Sequence, residues 1–499
     1  MKIVFLLSAF LLFSLHSSAQ RQRGRIENVT DYSEQTPSTK RKIGSRSTAP
    51  VQCMGSPRHP IILVQFDDLK FTVAQTDSLV NQLYVDFFNG GEGVHPGAAN
   101  APSYSSVKEY FRSQSEGQFS PEFTIIGPVT LDKSYKHYGK DSSGGTHDIN
   151  ISDFYSEACF KAVQQYNINW NDFDTNNNRI VDFVMFIYAG EGQNGCDDPY
   201  TIWPKESTSS LTVNYYTADS VKNTVRFGSF GCTNELFDGI QDGIGVCLHE
   251  FSHGLGLPDF YDTNYIAFGL DFWDLMDAGN YQIEGHYPIG LSAYELDFMG
   301  WRPLVTLDPD SAYTLTLDPL ETGGVAYKVV NKANPNEYFI LENRQNIGYD
   351  AYMGCKNQDH IKQYGVPHGL MITHVDFDKS AWNSNMVNTQ RNHQRITLTP
   401  ADGKLVSSIY GFGSSWANSL RGDLYPGKDN ITEISSYAVF TGGTLGQTIN
   451  NIQETAVGTI IVDINGGVHE PSPYDLTGDG KLTVEDITAL IGYYLTGEW

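Results

Sequence analysis

The stretch GVCLHEFSHGLGLPDFYDT, residues 245–263, places two histidines four residues apart and follows them with a glycine and an aspartate. Residues four apart lie on one face of a helix, so His249 and His253 can present both imidazoles to a single ion. Gly256, three residues after His253, lets the backbone adopt a positive φ and turn back sharply. The pattern predicts a helix over 243–255, followed by a reversal of the chain.

A zinc ion needs more than the two histidines. Asp259 follows His253 by six residues, a spacing that returns a carboxylate to the ion after the turn, and it is the predicted third ligand. Asp262 is the competing candidate. The fourth position is left for water, whose proton Glu250, adjacent to His249, is expected to accept as general base and pass to a leaving amine.

This motif resembles that of the metzincin-like zinc peptidases, and the continuation GLPDFYDT is similar to the immune inhibitor A-type metalloproteases of bacteria. Further segments over residues 58–465, such as SVKEYFRSQSEGQF and GLSAYELDFMGW, are similar to that group. The resemblance implies an exported endopeptidase with Glu250 as base and Met276, in FWDLMDAGNY, as the apolar floor beneath the metal. It also implies the zinc ligands His249, His253 and Asp259. Metzincins usually have a third histidine where this chain has Asp259.

Changes in composition divide the chain into five predicted parts. Residues 1–19, with one lysine, a short apolar run and a small-residue end, are typical of a secretory signal peptide. Residues 20–57 are polar and basic and predict a propeptide or a linker. Mixed helix and strand patterns over 58–304 predict an α+β or α/β domain, and the resemblance implies that it is an α+β, zincin-like catalytic domain. Short β-type runs over 305–467 predict an all-β sandwich. Residues 468–499 predict a linker and a short calcium-loop and helix tail.

Three local patterns in the first half of the chain predict individual elements. PIILVQFDD, from Pro60, and RIVDFVMFIYAGE, a continuous apolar run, each predict a strand, the second one buried. SVKEYFRSQSEG predicts a helix with a serine N-cap and a stop at Gly117. Its apolar face is expected to consist of Val107, Tyr110, Phe111 and Gln114.

Two Asp-rich loops have the spacing of calcium ligands. The tail places oxygen donors at positions 1, 3, 5, 7 and 12 of such a loop, namely Asp475, Thr477, Asp479, Lys481 (through its carbonyl) and Asp486. The earlier loop offers Asp174, Asn176, Asn178, Ile180 (through its carbonyl) and Asp182. In that loop Arg179 replaces the usual glycine, so an Asx-rich turn without calcium is an equal alternative.

The tail resembles one repeat of a type I dockerin, a module that binds cohesin domains on scaffold proteins. The resemblance implies a cohesin-like scaffold or a surface partner. Full dockerins carry two repeats, whereas this sequence contains one, so the identity of the partner stays open.

The composition excludes several classes of partner. With 33 basic and 58 acidic residues the formal net charge is −25, which argues against nucleic acid. After the first twenty residues no apolar run approaches the roughly 18 residues of a membrane span, so the chain is not expected to be an integral membrane protein. Six cysteines in a chain of 499 residues do not form a disulfide framework, although one or two bridges are allowed.

The sequence therefore predicts a secreted zinc-dependent endopeptidase, extracellular or attached to the cell surface, that acts on proteins or peptides. The alternative of a different class is an extracellular adhesion or assembly protein that uses the sandwich and the tail, with an inert zinc helix. The intact set of His249, Glu250 and His253 favours the enzyme. A zinc hydrolase acting on a small molecule is a third interpretation.

Overall fold

A computed structural model describes residues 51–90, 106–143, 148–196, 198–216, 222–264, 267–434, 436–468 and 484–496. The predicted signal peptide, most of the predicted propeptide or linker, and four of the predicted calcium ligands of the tail lie outside these residues. In the described parts of the chain, no helix combines the length and the apolar character needed to cross a membrane.

The described residues form sixteen strands and eleven α-helices. The strands are β1 (Arg58–Gln65), β2 (Glu122–Thr130), β3 (Val184–Glu191), β4 (Lys205–Tyr216), β5 (Lys222–Phe237), β6 (Ile240–Gln241), β7 (Val305–Thr306), β8 (Tyr313–Leu317), β9 (Tyr327–Val330), β10 (Glu337–Arg344), β11 (Gly369–Asp376), β12 (Ile396–Leu398), β13 (Ala438–Val439), β14 (Gly443–Thr444), β15 (Ile449–Glu454) and β16 (Ile460–Ile464). The α-helices are α1 (Asp77–Asn89), α2 (Val107–Gln114), α3 (Tyr135–Tyr138), α4 (Ile151–Gln165), α5 (Gln193–Cys196), α6 (Gly245–Gly254), α7 (Ala293–Met299), α8 (Gln358–Tyr364), α9 (Lys379–Asn383), α10 (Ser414–Asp423) and α11 (Val484–Thr496). Short 3-10 helices cover Trp170–Phe173, Asp271–Trp273, Ala278–Gly285, Leu320–Thr322, Gly348–Tyr352 and Ser408–Tyr410.

The N-terminal region, residues 51–304, is a mixed α/β unit built on one six-stranded sheet. Its strand order is β2-β1-β3-β5-β4, with β6 paired to β5. The pairs β1–β2, β1–β3 and β3–β5 are parallel, whereas β4 runs antiparallel to β5. Strand β3 is the predicted apolar run, and seven of its eight residues are buried because both faces of the sheet are covered.

Alternation along β1 assigns the two faces of this sheet. Ile61 and Leu63 belong to the same apolar cluster as Phe251 of α6. Ile62 and Val64 belong to a second cluster, together with Phe154 of α4. Because successive side chains of a strand point to opposite faces, α6 and α4 lie on opposite sides of the sheet.

Helix α2 confirms the sequence pattern that predicts it. The side chain of Ser106 caps the helix by accepting a hydrogen bond of 3.2 Å from the backbone N–H of Glu109. Gly117, just beyond the helix, has a φ of 80°. The buried residues are the four predicted ones, Val107, Tyr110, Phe111 and Gln114.

The C-terminal region, residues 305–468, contains a five-stranded sheet, β12-β11-β10-β9-β7, and a three-stranded sheet, β15-β16-β8. Both sheets contribute side chains to one apolar cluster, among them Phe339 of β10 and Val462 of β16. Strands form within each of the short β-type runs of this region, namely AYTLTLDPL, VAYKVVN, EYFILENR, GLMITHVDFD, QRITLTPAD and GTIIVDI. The region also contains α8, α9 and α10, which the all-β interpretation does not include. Helices α9 and α10 pack on the N-terminal region; Trp382 of α9 and Trp416 of α10 belong to the cluster of α6.

Strand β10 is buried at all eight residues because its sheet lies between two cores. Phe339 and Leu341 face the three-stranded sheet. Tyr338 and Ile340 point the other way, into the cluster that contains α6. The N-terminal and C-terminal regions therefore share an apolar core.

A buried ion cluster lies in the same interface. Arg344 of β10 donates to both carboxylate oxygens of Asp350, at 2.7 and 2.6 Å, and to Glu342 at 3.2 Å. Arg344 also donates to the carbonyl of Gly290 in the N-terminal region, at 3.0 Å. The backbone N–H of Ala293 donates to Glu342, so both regions contribute to the cluster.

All six cysteines lie in the described residues, and none of them forms a disulfide bridge.

Candidate metal centre

Helix α6 is buried at every position. Phe251 fixes it against the sheet through edge-to-face ring contacts with His59 and Phe183, at centroid distances of 5.2 and 5.5 Å. His249 and His253 lie two positions before and after Phe251, about 200° around the helix, so they point away from the sheet. The apolar face of α6 thereby aims both imidazoles into the interior of the protein.

The chain reverses after α6 as the sequence predicts. Gly256 has a φ of 105°. Its N–H donates to the carbonyl of His253 at 2.9 Å, and the N–H of Leu257 donates to the carbonyl of Ser252 at 3.2 Å. These two bonds form a Schellman motif with Gly256 at the position that requires a positive φ.

The reversal brings Asp259 onto the two histidines. Asp259 Oδ1 lies 3.1 Å from His249 Nε2 and 3.0 Å from His253 Nε2. Their ligand atoms all lie within 4.8 Å of one another, and all three residues are buried. In the part of the chain that the structure describes, no other group of three or more His, Cys, Asp or Glu residues is arranged to hold a metal ion.

Backbone carbonyls orient both imidazoles. His249 Nδ1 donates to the carbonyl of Leu275 at 2.9 Å, and His253 Nδ1 donates to the carbonyl of Leu257 at 2.8 Å. A carbonyl only accepts hydrogen bonds, so each Nδ1 carries a proton and each ring points its Nε2 towards Asp259. Two imidazole nitrogens and a carboxylate oxygen that converge in this way suit a cation.

The charge state of Asp259 agrees with a cation site. Burial alone would raise the pKa of this carboxyl, but the neighbouring His253 and His249 hold the pKa well below its usual value. Asp259 is therefore an ionised carboxylate at neutral pH. Two nitrogen donors and one carboxylate oxygen are a donor set typical of catalytic zinc.

Asp262, the competing candidate, is not part of this group. Its Oδ1 accepts from the N–H of Asn264 at 2.8 Å, and its Oδ2 accepts from the N–H of Ala267 at 2.7 Å. Both carboxylate oxygens thus close the turn that follows Asp259.

Glu250 and Met276 are both buried. Each is the sequence neighbour of a residue of the metal centre or of a residue that holds it. Glu250 follows His249 on α6 and is 1% exposed. Met276 is fully buried and follows Leu275, whose carbonyl holds His249. The carbonyl of Met276 accepts from the N–H of Phe260 at 2.8 Å, which ties the segment around Met276 to the residue after Asp259.

One residue at the centre has no signal in the sequence. Asn385, 126 residues after Asp259, accepts a hydrogen bond of 2.7 Å from the backbone N–H of Asp259. The side-chain amide of Asn385 also donates to Asp259 Oδ2. No motif or spacing connects these two positions, so only the folded chain places them together.

The first predicted calcium loop is compact. Asp174 accepts from the backbone N–H groups of Asn178 and Arg179, at 2.9 and 2.8 Å, and Arg179 has a φ of 67°. Burial raises the pKa of Asp182 to about 6. The loop is thus held by hydrogen bonds of the kind expected for an Asx-rich turn. It contains all of the predicted ligands, Asp174, Asn176, Asn178, Ile180 and Asp182. Calcium binding at this loop stays a prediction.

The tail loop is described only at its last predicted ligand. Asp486 is buried in the first turn of α11. Asp475, Thr477, Asp479 and Lys481 lie outside the described residues.

Comparison with known proteins shows which protein family the N-terminal region resembles. Residues 58–302 match the immune inhibitor A peptidase M6 catalytic domain. This part of the chain is therefore similar to peptidase M6 catalytic domains. It contains α6, the turn at Gly256 and all three clustered ligands, and the metalloproteases of this family imply a metal, typically zinc.

Two named relatives are similar over about half of the chain. The pre-pro-metalloprotease PrtV of Vibrio cholerae serotype O1 (strain M66-2) is 26% identical over 261 residues, which cover 47% of this chain and 28% of PrtV. Immune inhibitor A of Bacillus thuringiensis subsp. alesti is 26% identical over 295 residues, covering 50% of this chain and 41% of that protein. The chain thus spans less than half of the length of either relative.

Proposed function

We propose that this protein is a secreted zinc-dependent endopeptidase that hydrolyses peptide bonds of proteins. His249, His253 and Asp259 hold the zinc ion, and Glu250 is the general base. The proposal rests on one observation above all, the convergence of three buried ligand atoms within 4.8 Å. The match of residues 58–302 to a peptidase family supports the reaction class.

The chemistry divides between the ion and the protein. Zinc bound by these residues would supply a Lewis acid, which polarises a carbonyl and acidifies a water. Glu250 accepts the proton of the attacking water and delivers it to the leaving amine. Because Asp259 is negatively charged, it reduces the acidifying effect of the metal, and the reaction depends more strongly on Glu250 than in a three-histidine site.

The test measures casein cleavage and zinc content for the parent protein and for three variants. Glu250→Gln is expected to keep its zinc and to lose activity by a factor of about 10²–10⁴. Asp259→Ala is expected to lose zinc, whereas Asp262→Ala, the matched control on the same loop, keeps it. A parent that binds zinc but cleaves no protein would favour a small-molecule hydrolase. A parent without zinc would favour the adhesion alternative.

We further propose the domain organisation outlined by the sequence. The 1–19 segment is a signal peptide, 20–57 a propeptide or linker, 58–304 the catalytic domain, 305–467 a β-sandwich and 468–499 a linker with a calcium-binding repeat. The apolar cluster common to two sheets of the C-terminal region supports the sandwich. Calcium at the tail and at residues 174–182, and a scaffold partner for the tail, belong to the same proposal.

A further inference from the structure

Asn385 belongs to a segment of the C-terminal region that contacts the loop carrying Asp259. Asn388 lies three residues further on and is fully buried. The side chain of Asn388 donates to the carbonyl of Phe260 at 2.7 Å and to that of Ile396 in β12 at 2.8 Å. Two asparagines therefore fix two successive residues of the loop, Asp259 and Phe260, to the C-terminal region.

The local fold explains why asparagine occupies position 385. The N–H of Asn385 donates to the carbonyl of Trp382 at 3.3 Å, and the N–H of Met386 donates to that of Ala381 at 2.9 Å. These bonds end α9 in a Schellman motif, in which Asn385 has a φ of 57°. Glycine and asparagine are the residues that accept this left-handed conformation most readily, and of the two only asparagine has a side chain.

The orientation of the Asn385 amide follows from its partners. The backbone N–H of Asp259 can only donate, so the atom 2.7 Å away is the carbonyl oxygen of the Asn385 side chain. The other end is then the NH₂ group, which donates to Asp259 Oδ2. With Oδ2 held in this way, Asp259 presents Oδ1 to both histidines, at 3.0 and 3.1 Å.

We infer that Asn385 is a positioning residue for the metal centre. It fixes the carboxylate of Asp259 so that one oxygen serves as ligand while the other stays hydrogen-bonded. The metal centre therefore extends beyond residue 302, where the catalytic family match ends, and is incomplete without the C-terminal region. This inference rests on the proposed zinc site.

Asn385→Gly is the sharpest test because glycine preserves the left-handed backbone and removes only the amide. Asn430, which is exposed and has a φ of 52°, provides the matched control Asn430→Gly. The zinc dissociation constants of the full-length proteins would be measured by competition with a chromophoric chelator. Partners that orient metal ligands typically contribute 10–100-fold to affinity, so we expect Asn385→Gly to bind zinc about 10–100 times more weakly and Asn430→Gly to match the parent.

Two further readouts separate positioning from general stability. The metal-free Asn385→Gly should still unfold cooperatively, with a melting temperature lowered only by the loss of these two hydrogen bonds, and the visible absorption bands of bound Co²⁺ should change only in Asn385→Gly. Parent-like zinc affinity in Asn385→Gly would overturn the inference alone. A metal-free Asn385→Gly that has lost its fold would overturn it as well, because the role would then be structural. A parent protein that binds no zinc would overturn the proposed function and this inference together.

Discussion

The buried ion cluster around Arg344 yields a prediction with a defined magnitude. Arg344→Met removes the cation from between Asp350 and Glu342 and leaves both carboxyls inside the protein. Removing one partner of a buried ion pair typically costs about 3–5 kcal/mol, because the remaining charge is no longer compensated. We therefore expect the free energy of unfolding to fall by about that amount at pH 7.

An exposed pair of similar length is the matched control. Arg58 Nη1 lies 2.8 Å from Asp172 Oδ2, but the two side chains are 51% and 37% exposed. Solvent screens such pairs, so Arg58→Met should cost about 0–1 kcal/mol. The two variants thus test burial at nearly constant hydrogen-bond distance.

The pH dependence of the Arg344→Met effect has a definite sign. Burial already raises the pKa of Glu342 to about 7, and the attraction of Arg344 opposes this rise. Without Arg344 the pKa rises further, so the folded variant takes up a proton that the unfolded chain has released. The Arg344→Met variant then loses stability as the pH rises through the raised pKa of Glu342. Its deficit in the free energy of unfolding, relative to the parent, is therefore larger at pH 8 than at pH 5.

Urea unfolding of the parent and both variants at pH 5, 7 and 8, followed by tryptophan fluorescence, measures these differences. The reasoning would be refuted if Arg344→Met and Arg58→Met differed by less than about 1 kcal/mol at pH 8, given the buried-pair cost above. A deficit that is larger at pH 5 than at pH 8 would refute the assigned role of Glu342.

Three other perturbations have expected outcomes. Burial, together with the charge of Asp274, raises the pKa of Glu295, and burial raises that of Asp274 to about 6. The stability that protonated Glu295 provides is fully present below its ordinary pKa of 4.5 and is lost as the pH rises from there through its raised pKa, so Glu295→Gln should flatten the decline in the urea midpoint between pH 5 and 8. Phe251→Ala should lower the free energy of unfolding by about 3–5 kcal/mol in thermal or urea unfolding, because it empties the contact between α6 and the sheet. Calcium should raise the melting temperature of the parent more than that of Asp174→Ala, in which the loop 174–182 has lost its first ligand.

A specific outcome would contradict each of these three predictions. An unchanged pH profile in Glu295→Gln would show that the two carboxyls do not share a proton. A loss below about 1 kcal/mol for Phe251→Ala would mean that α6 is held chiefly by other contacts. Equal calcium responses of the parent and Asp174→Ala would leave the loop an ordinary Asx turn.

Local patterns explain which parts of the fold the sequence predicts. The buried face of α2, the run of β3 and the reversal at Gly256 depend on residues within about four positions of each other, so period and turn chemistry reveal them. For the same reason His249 and His253 can be identified as a pair from their spacing alone.

Contacts between distant residues explain what the sequence does not reveal. Asn385 and Asp259 are 126 residues apart in the chain, and no sequence pattern near either residue predicts their contact. Helices α9 and α10 interrupt a β-type region and bury side chains against the N-terminal region, a contact that their own sequence does not reveal.

The two buried faces of β10 bear on how this protein can be divided. The family match ends at residue 302, before β10 begins. A cut at that position would separate Phe251 and Met276 from Tyr338 and Ile340 and leave apolar surface in water. The matched segment is therefore smaller than the unit expected to fold alone, and any exchange of catalytic halves between relatives has to carry a matching β10 with it.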